Sequence, residues 1–376
     1  KTTSRIMLNG NEAIALGAVS AGARFCSFYP MTPSTSVPLT LISIAERMGL
    51  VVEQAEDEIA AVNMAIGASF AGAPSLVATS GGGFALMVEG LSLAGMTETP
   101  LVMIIAQRPG PATGLPTRTE QADLAFALHA GHGEFPRAIL APGTVEECFH
   151  LSRRAFDLAE RYQSPVFILT DQFLADSYRA VEPFDVEQLA EVRPGADPAT
   201  VEMPYLRHRI TESGLSPRLL PGRSRHLVVT DSDEHTEDGH LTEDLEERKR
   251  QVEKRLRKGE GLVREAIPPE LEGDESPDIL FVSWGSTKGS VREAAAALRR
   301  RGARAATLHF PQVWPLVTAR FTGALGGAKR VIAVEGNAGG QLAGVIRRES
   351  GFEIGERIAR YDGLPITPGY ILRKVE

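Results

Sequence analysis

The chain has 376 residues, which at roughly 100–200 residues per domain suggests two or three domains and excludes a single small module. Its 43% hydrophobic and 23% charged content is that of an ordinary globular protein and excludes a disordered or fibrous chain. A formal net charge of −8 lacks the broad basic footprint of a nucleic-acid binder. Cys26 and Cys148 are the only cysteines. They are too few for an iron–sulfur cluster or a structural zinc site, each of which takes about four ligands. They form no CxxC motif or disulfide framework, which fits a reducing compartment, and the expected location is the cytoplasm. No apolar stretch approaches the roughly 20 residues of a membrane span and no signal-like segment opens the chain, so neither secretion nor membrane insertion is expected.

From residue 9 to 180, β-rich runs alternate with Ala-rich helical stretches, the pattern of βαβ units around a parallel sheet. Strands are predicted at Arg24–Tyr29, Leu50–Gln54, Leu76–Ser80, Leu101–Ala106, Ala138–Leu140 and Val166–Thr170. Helices are predicted near 11–21, 34–48, 56–72, 83–97, 119–129 and 144–162. Ser34 or Thr35 is placed to cap the second helix, and Gly49 to end it. The segment 181–276 reads as an extended, Pro- and Arg-rich excursion followed by a charge block. Residues 231–260 carry 11 acids and 7 bases. Two readings of that block stand: a solvated helix laced with salt bridges, or an arm that docks a partner. A smaller α/β unit follows over 277–376, with strands at Asp278–Trp284, Ala303–Phe310 and Arg330–Glu335 and helices at Ser290–Arg301 and Gly339–Ser350.

Four loops lie where an open α/β sheet binds ligands, outside the carboxyl ends of its strands. The turn Tyr29-Pro30-Met31-Thr32-Pro33-Ser34-Thr35 is stiffened by two prolines that could fix the Thr32 hydroxyl toward a substrate oxygen, or it simply opens a capped helix. Glu56-Asp57-Glu58 opens a helix of small residues. The three acids serve the helix dipole, or Glu58 is partly buried and functional. Thr79-Ser80-Gly81-Gly82-Gly83 either admits a ligand to the backbone or makes a tight turn, and it matches neither the dinucleotide nor the P-loop fingerprint. Gln107-Arg108 and the loop through Thr117, Arg118 and Gln121 offer guanidinium groups: Arg108 is suited to a carboxylate or phosphate or, equally, is a structural arginine bonding loop carbonyls. His129 and His132 have no evident carboxylate partner and read as structural.

Taken in order, Gly10-Asn11-Glu12-Ala13, Tyr29 to Ser34, Glu56-Asp57-Glu58-Ile59-Ala60, Thr79 to Gly83, Gln107-Arg108 and Thr113-Gly114-Leu115-Pro116-Thr117 resemble the α subunit of 2-oxoacid:ferredoxin oxidoreductases. The likeness continues weakly through Thr230 to His235 and reaches Glu335-Gly336-Asn337-Ala338-Gly339-Gly340-Gln341-Leu342. Met31 departs from the isoleucine common in the family, an apolar swap of similar size. The resemblance implies a doubly wound, pyrimidine-type thiamine-diphosphate-binding domain (1–180), the connecting segment (181–276) and a transketolase C-terminal-like α/β domain (277–376). Thiamine diphosphate would be shared with a β subunit that carries the Mg2+ site and a [4Fe-4S] cluster, with coenzyme A as co-substrate and ferredoxin as electron acceptor. The expected assembly is (αβ)2, and the start at Lys1 is compatible with separation from a γ domain.

The resemblance also assigns roles. Glu58 would bond N1′ of the aminopyrimidine, with Tyr29 and Pro30 beside the cofactor. Thr32 and Arg108 would hold the 2-oxoacid carboxylate. The loop looks most like the 2-oxoglutarate branch, with Arg118, helped by Thr117 or Gln121, taking the distal carboxylate. The implied reaction is decarboxylation of 2-oxoglutarate to succinyl-CoA and CO2, reversible as reductive carboxylation. A branched-chain 2-oxoacid or pyruvate is the alternative substrate, and a noncatalytic assembly subunit or a nicotinamide-dependent oxidoreductase the alternative class.

Overall fold

The computed structural model describes residues 4–274 and 276–375. The first unit runs β1 (Ile6–Leu8), α1 (Gly10–Ser20), β2 (Phe25–Phe28), α2 (Ser36–Met48), β3 (Val51–Gln54), α3 (Glu58–Phe70), β4 (Ser75–Thr79), α4 (Gly81–Met96), β5 (Leu101–Gln107), α5 (Leu124–His129), β6 (Ala138–Leu140), α6 (Val145–Tyr162), β7 (Pro165–Asp171), α7 (Gln172–Asp176) and β8 (Arg179–Val181). The connecting segment holds α8 (Leu245–Arg264) and β9 (Glu270–Glu272). The second unit runs β10 (Ile279–Trp284), α9 (Lys288–Arg300), β11 (Ala305–Phe310), β12 (Gln312–Trp314), α10 (Thr322–Gly327), β13 (Arg330–Glu335), α11 (Gln341–Ser350), β14 (Glu356–Ala359) and α12 (Pro368–Val375).

The main sheet has the order β12-β6-β7-β5-β4-β2-β3 and is parallel from β6 to β3. Its central strands β4, β5 and β7 are buried at every position, which explains their unbroken apolar runs. Helices cover both faces, as the alternating sequence pattern predicts. The second sheet, β14-β13-β10-β11-β9, is parallel except for β9 at its edge. The two units interlock: β12 of the second unit pairs antiparallel with β6, and β9 of the connection joins the second sheet.

Three expectations need correction. Neither Ser34 nor Thr35 caps α2 with its side chain: Thr35 occupies the cap position without such a bond, and Ser34 Oγ donates to Met31 O at 2.7 Å within its own turn. Gly49 does end the helix, in the left-handed conformation at φ 61°. The charge block forms the expected helix α8, but its face is not all solvated: Lys254 and Lys258 are buried against Glu98 of the first unit, and Gln251 and Arg255 against His208 and Glu234 of the connecting segment. The helical stretch expected at 119–129 is shorter, starting at Leu124, because the preceding residues bond to the second unit instead.

Candidate active site

The carboxyl ends of β2, β4 and β5 and the starts of α3 and α4 converge on one carboxylate. Glu58 is the first residue of α3. Asp57, one position earlier, accepts from Ala60 N at 2.7 Å and so does the capping that the acidic triplet suggested. Glu56 stays exposed, while Glu58 turns inward and is 4% exposed. Its Oε1 is buried without a hydrogen-bond partner. The cost of burying such an acceptor identifies a position where a donor is missing. The glycine turn makes this placement possible: a Cβ on Gly83 would lie 2.6 Å from Glu58 Oε1 and would overlap Thr79 Oγ1. Ser80 precedes α4 without capping it, and Ser80 Oγ is likewise buried and unpaired.

The proline turn is held from two sides. Asn11 is fully buried and donates to Pro33 O at 2.8 Å and Ser36 Oγ at 2.6 Å. It can do so because Asn9 and Glu12 form a capping box that fixes the start of α1, with Gly10 packed against the Leu174 carbonyl. This accounts for the motif Gly10 to Ala13. Across the turn, Arg108 Nη1 donates to Thr32 O at 2.7 Å, so Thr32 and Arg108 are brought together from β2 and β5. Tyr29, Pro30 and Thr32 are exposed on this rim.

The loop after Arg108 reaches the second unit. Gln121 is 2% exposed. Its Nε2 donates to Trp284 O at 2.9 Å, its Oε1 accepts from Gly336 N at 2.8 Å, and its backbone pairs with Gly336 and Asn337. Glu335 collects Trp284 Nε1, Asn337 Nδ2 and the first amides of α11, which explains the motif Glu335 to Leu342. The carboxamide of Gln121 is therefore engaged in joining the two units. Thr119 Oγ1 donates to Asp171 Oδ1 at 2.9 Å and pins the middle of the loop to β7. Between these anchors Thr117 and Arg118 are exposed, and the Arg118 guanidinium makes no hydrogen bond or ion pair among the described residues. His129 spends its ring nitrogens on Ala125 O and Arg348, in keeping with a structural role.

One functional candidate escaped sequence reading. Asp123 lies at the end of this loop beside Gly81. Burial pushes its carboxyl up to about 6, against the opposing pull of the Arg108 guanidinium. It falls inside a stretch that reads as helix, and no spacing distinguishes it. A second cluster lies apart from this site: ligand-type atoms of Glu98, His208 and His235 come within 4.8 Å of one another. Lys254 and Lys258 already pair with the Glu98 carboxylate, so cationic side chains fill the role a metal would take.

A doubly wound sheet with an unpartnered buried glutamate at a glycine turn matches a known class. The chain belongs to the pyruvate flavodoxin/ferredoxin oxidoreductase family, whose thiamine-diphosphate-binding model matches residues 16–254. Among its relatives, the 2-oxoacid:ferredoxin oxidoreductase 1 subunit alpha of Sulfurisphaera tokodaii is 38% identical over 97% of this chain, which spans 60% of that protein's length. The 2-oxoglutarate synthase subunit KorA of Methanothermobacter marburgensis is 32% identical over 99% of both chains. A solved 2-oxoglutarate:ferredoxin oxidoreductase from Magnetococcus marinus, with 2-oxoglutarate, coenzyme A and succinyl-CoA bound, superposes with a TM-score of 0.94 at 35% identity, covering 99% of this chain and 65% of that one.

Proposed function

We propose that this chain is the α subunit of a 2-oxoglutarate:ferredoxin oxidoreductase, which converts 2-oxoglutarate and coenzyme A to succinyl-CoA and CO2 and passes electrons to ferredoxin. The observation that carries the reading is Glu58 Oε1, a buried acceptor with no partner at a glycine turn that leaves room beside it. These residues fit the aminopyrimidine of thiamine diphosphate, which needs one carboxylate to accept from its ring. When bound, the cofactor supplies the nucleophilic carbon and the electron sink for decarboxylation. Glu58 would hold the proton at the pyrimidine nitrogen, and Tyr29 and Pro30, exposed on the proline turn, would lie beside the cofactor. Thr32 and Arg108 orient the 2-oxoacid carboxylate, a positioning contribution. The Mg2+ site and the [4Fe-4S] cluster belong to a β subunit in this reading, and with only two cysteines the chain cannot supply the cluster's usual four thiolates.

Arg118 supports 2-oxoglutarate over pyruvate. It is an unpaired cation on the loop that leaves Arg108, where a distal carboxylate would find its counter-charge. The KorA relative from Methanothermobacter marburgensis and the Magnetococcus marinus structure lean the same way. The test is coenzyme A-dependent, anaerobic reduction of a viologen dye by this chain assembled with its cysteine-rich partner. Turnover of 2-oxoglutarate ahead of pyruvate and 2-oxoisovalerate is expected. Preference for either of the others would discard the Arg118 assignment, and no turnover of any would favour an assembly subunit.

A further inference from the structure

The loop that carries Arg118 is braced by a glycine of the second unit. Within its own unit the loop folds back on itself: Leu115 N donates to Pro109 O at 3.0 Å and Arg118 N to Leu115 O at 3.1 Å. The next bond crosses between the units, with Thr119 N donating to Gly363 O at 3.2 Å. Gly363 is buried and left-handed at φ 84°, although Tyr361, Asp362 and Leu364 around it are exposed. Arg118 and Leu115 cover it. A Cβ on Gly363 would lie 3.0 Å from Arg118 Cβ, 3.2 Å from Arg118 Cγ and 3.3 Å from Leu115 Cδ1. The stem of Arg118 therefore rests on the side of Gly363 where any other residue carries its side chain.

The glycine is itself held, in the turn between β14 and α12. Arg360 Nε donates to Asp362 Oδ1 at 2.9 Å, Leu364 N donates to the same oxygen at 3.1 Å, and Arg360 Nη1 donates to Pro365 O at 2.8 Å. Arg360 N donates to Glu335 O at 3.2 Å, which ties the turn to the carboxylate that already gathers Trp284 and α11. These bonds also occupy Asp362, the acid next to Gly363. Arg118 is thus seated by the second unit without being neutralised by it.

We propose that Gly363 is a positioning residue for substrate selection: by lacking a side chain it seats the stem of Arg118 and fixes where that guanidinium meets the distal carboxylate of a dicarboxylic 2-oxoacid. This deepens the 2-oxoglutarate reading and rests on the assignment of Arg118 to that carboxylate. Two carbons attract best at about 3.5–4.0 Å, so a methyl group on residue 363 would push on Arg118. The atom it meets is Cβ, which cannot swing aside like the end of a long side chain, so the backbone of Arg118 and Thr119 has to move. A displaced cation weakens binding of a substrate with a second carboxylate and leaves one without it untouched.

The experiment measures KM and kcat for 2-oxoglutarate and pyruvate in the chain assembled with its thiamine-diphosphate-binding partner subunit. Wild type is compared with Gly363→Ala, Gly302→Ala, Arg118→Met and the Gly363→Ala/Arg118→Met double variant. Gly302 has φ 88° in the same unit and nothing within 4 Å of a Cβ, so Gly302→Ala imposes a left-handed backbone on alanine without the contact. Gly363→Ala is expected to raise the KM for 2-oxoglutarate about fivefold, with kcat and the pyruvate KM kept within about twofold. Gly302→Ala is expected to move neither KM, and Gly363→Ala to add nothing once Arg118 is methionine. An equal rise for both substrates, the same rise in Gly302→Ala, or full additivity in the double variant overturns the proposal. Arg118→Met separates the two layers: an unchanged preference removes the Arg118 assignment, whereas a lost preference with Gly363→Ala behaving as wild type removes only the role of Gly363. Should Gly363→Ala not fold, Arg360→Gln loosens the turn from its other side and frees Asp362. It is expected to raise the KM for 2-oxoglutarate alone, by about threefold, and a rise shared by pyruvate contradicts the proposal.

Discussion

Helix α4 has a buried glutamate at each end, and the two are opposites. Glu58 sits at its N-terminal glycine turn with Oε1 unpaired. Glu98 follows its C-terminus, fully buried, and receives Lys254, Lys258 Nζ at 2.8 Å and His208 Nδ1 at 3.1 Å. The helix dipole favours an anion at the first end and disfavours one at the second. Glu98 can therefore stay ionised only with cations around it. Burial alone would push its carboxyl up, but Lys254, Lys258 and His208 outweigh that and hold it well below the usual range. A carboxylate ion-paired within its own protein fastens a structure, here α8 and the connecting segment to the first unit. A buried carboxylate left without a partner has capacity for a ligand.

Five predictions sharpen or break this contrast. Glu58→Gln is expected to lower kcat by about 10²–10⁴, the usual range for losing a positioned proton-transfer group, with the melting temperature kept. A parallel loss of stability would make Glu58 structural. Glu98→Gln is expected to destabilise the chain by about 3–5 kcal/mol in denaturant titration, because it leaves two buried lysines without their counter-charge. The same residue sets a pH dependence. Its folded pKa lies below that of an ordinary glutamate, so the unfolded chain binds more protons as pH falls through the ordinary carboxylate range. Its contribution is thus present above about pH 4.5 and lost in acid, and Glu98→Gln should flatten acid unfolding in that window. Gly83→Ala places a Cβ against Glu58 and Thr79 and is expected to cost about 1–3 kcal/mol, with activity lost beyond what the remaining folded fraction explains. Arg118→Met should reduce the preference for 2-oxoglutarate over pyruvate by about tenfold and leave stability unchanged, as loss of a charged hydrogen bond at an exposed site requires.

Much of this was legible in the sequence. The six parallel strands of the main sheet fall within a residue or two of expectation because they are β-rich runs, unbroken and apolar at the centre, bounded by turn residues. The three-acid motif singled out Glu58 because small residues follow it. The charge block was half-read: its charge pattern suits a helix, but the burial of Lys254 and Lys258 depends on Glu98, some 150 positions away. The short strands β9 and β12 carry three residues each and too little pattern to stand out, and they exist only because another sheet edge receives them. Gln121 could not be told from a ligand-facing amide until Trp284 and Gly336 were placed beside it. Asp123 was hidden because its significance lies in its contact with Gly81 from another element.

The most direct test of the contrast is the rate at which the C2 proton of bound thiamine diphosphate exchanges with deuterated solvent, followed by NMR in the complex of this chain with its partner subunit. With Glu58 as the acceptor at the pyrimidine, Glu58→Gln should slow exchange by about a hundredfold or more while Glu98→Gln, at a temperature where it remains folded, leaves it unchanged. Exchange that is equally fast in wild type and Glu58→Gln would contradict the account.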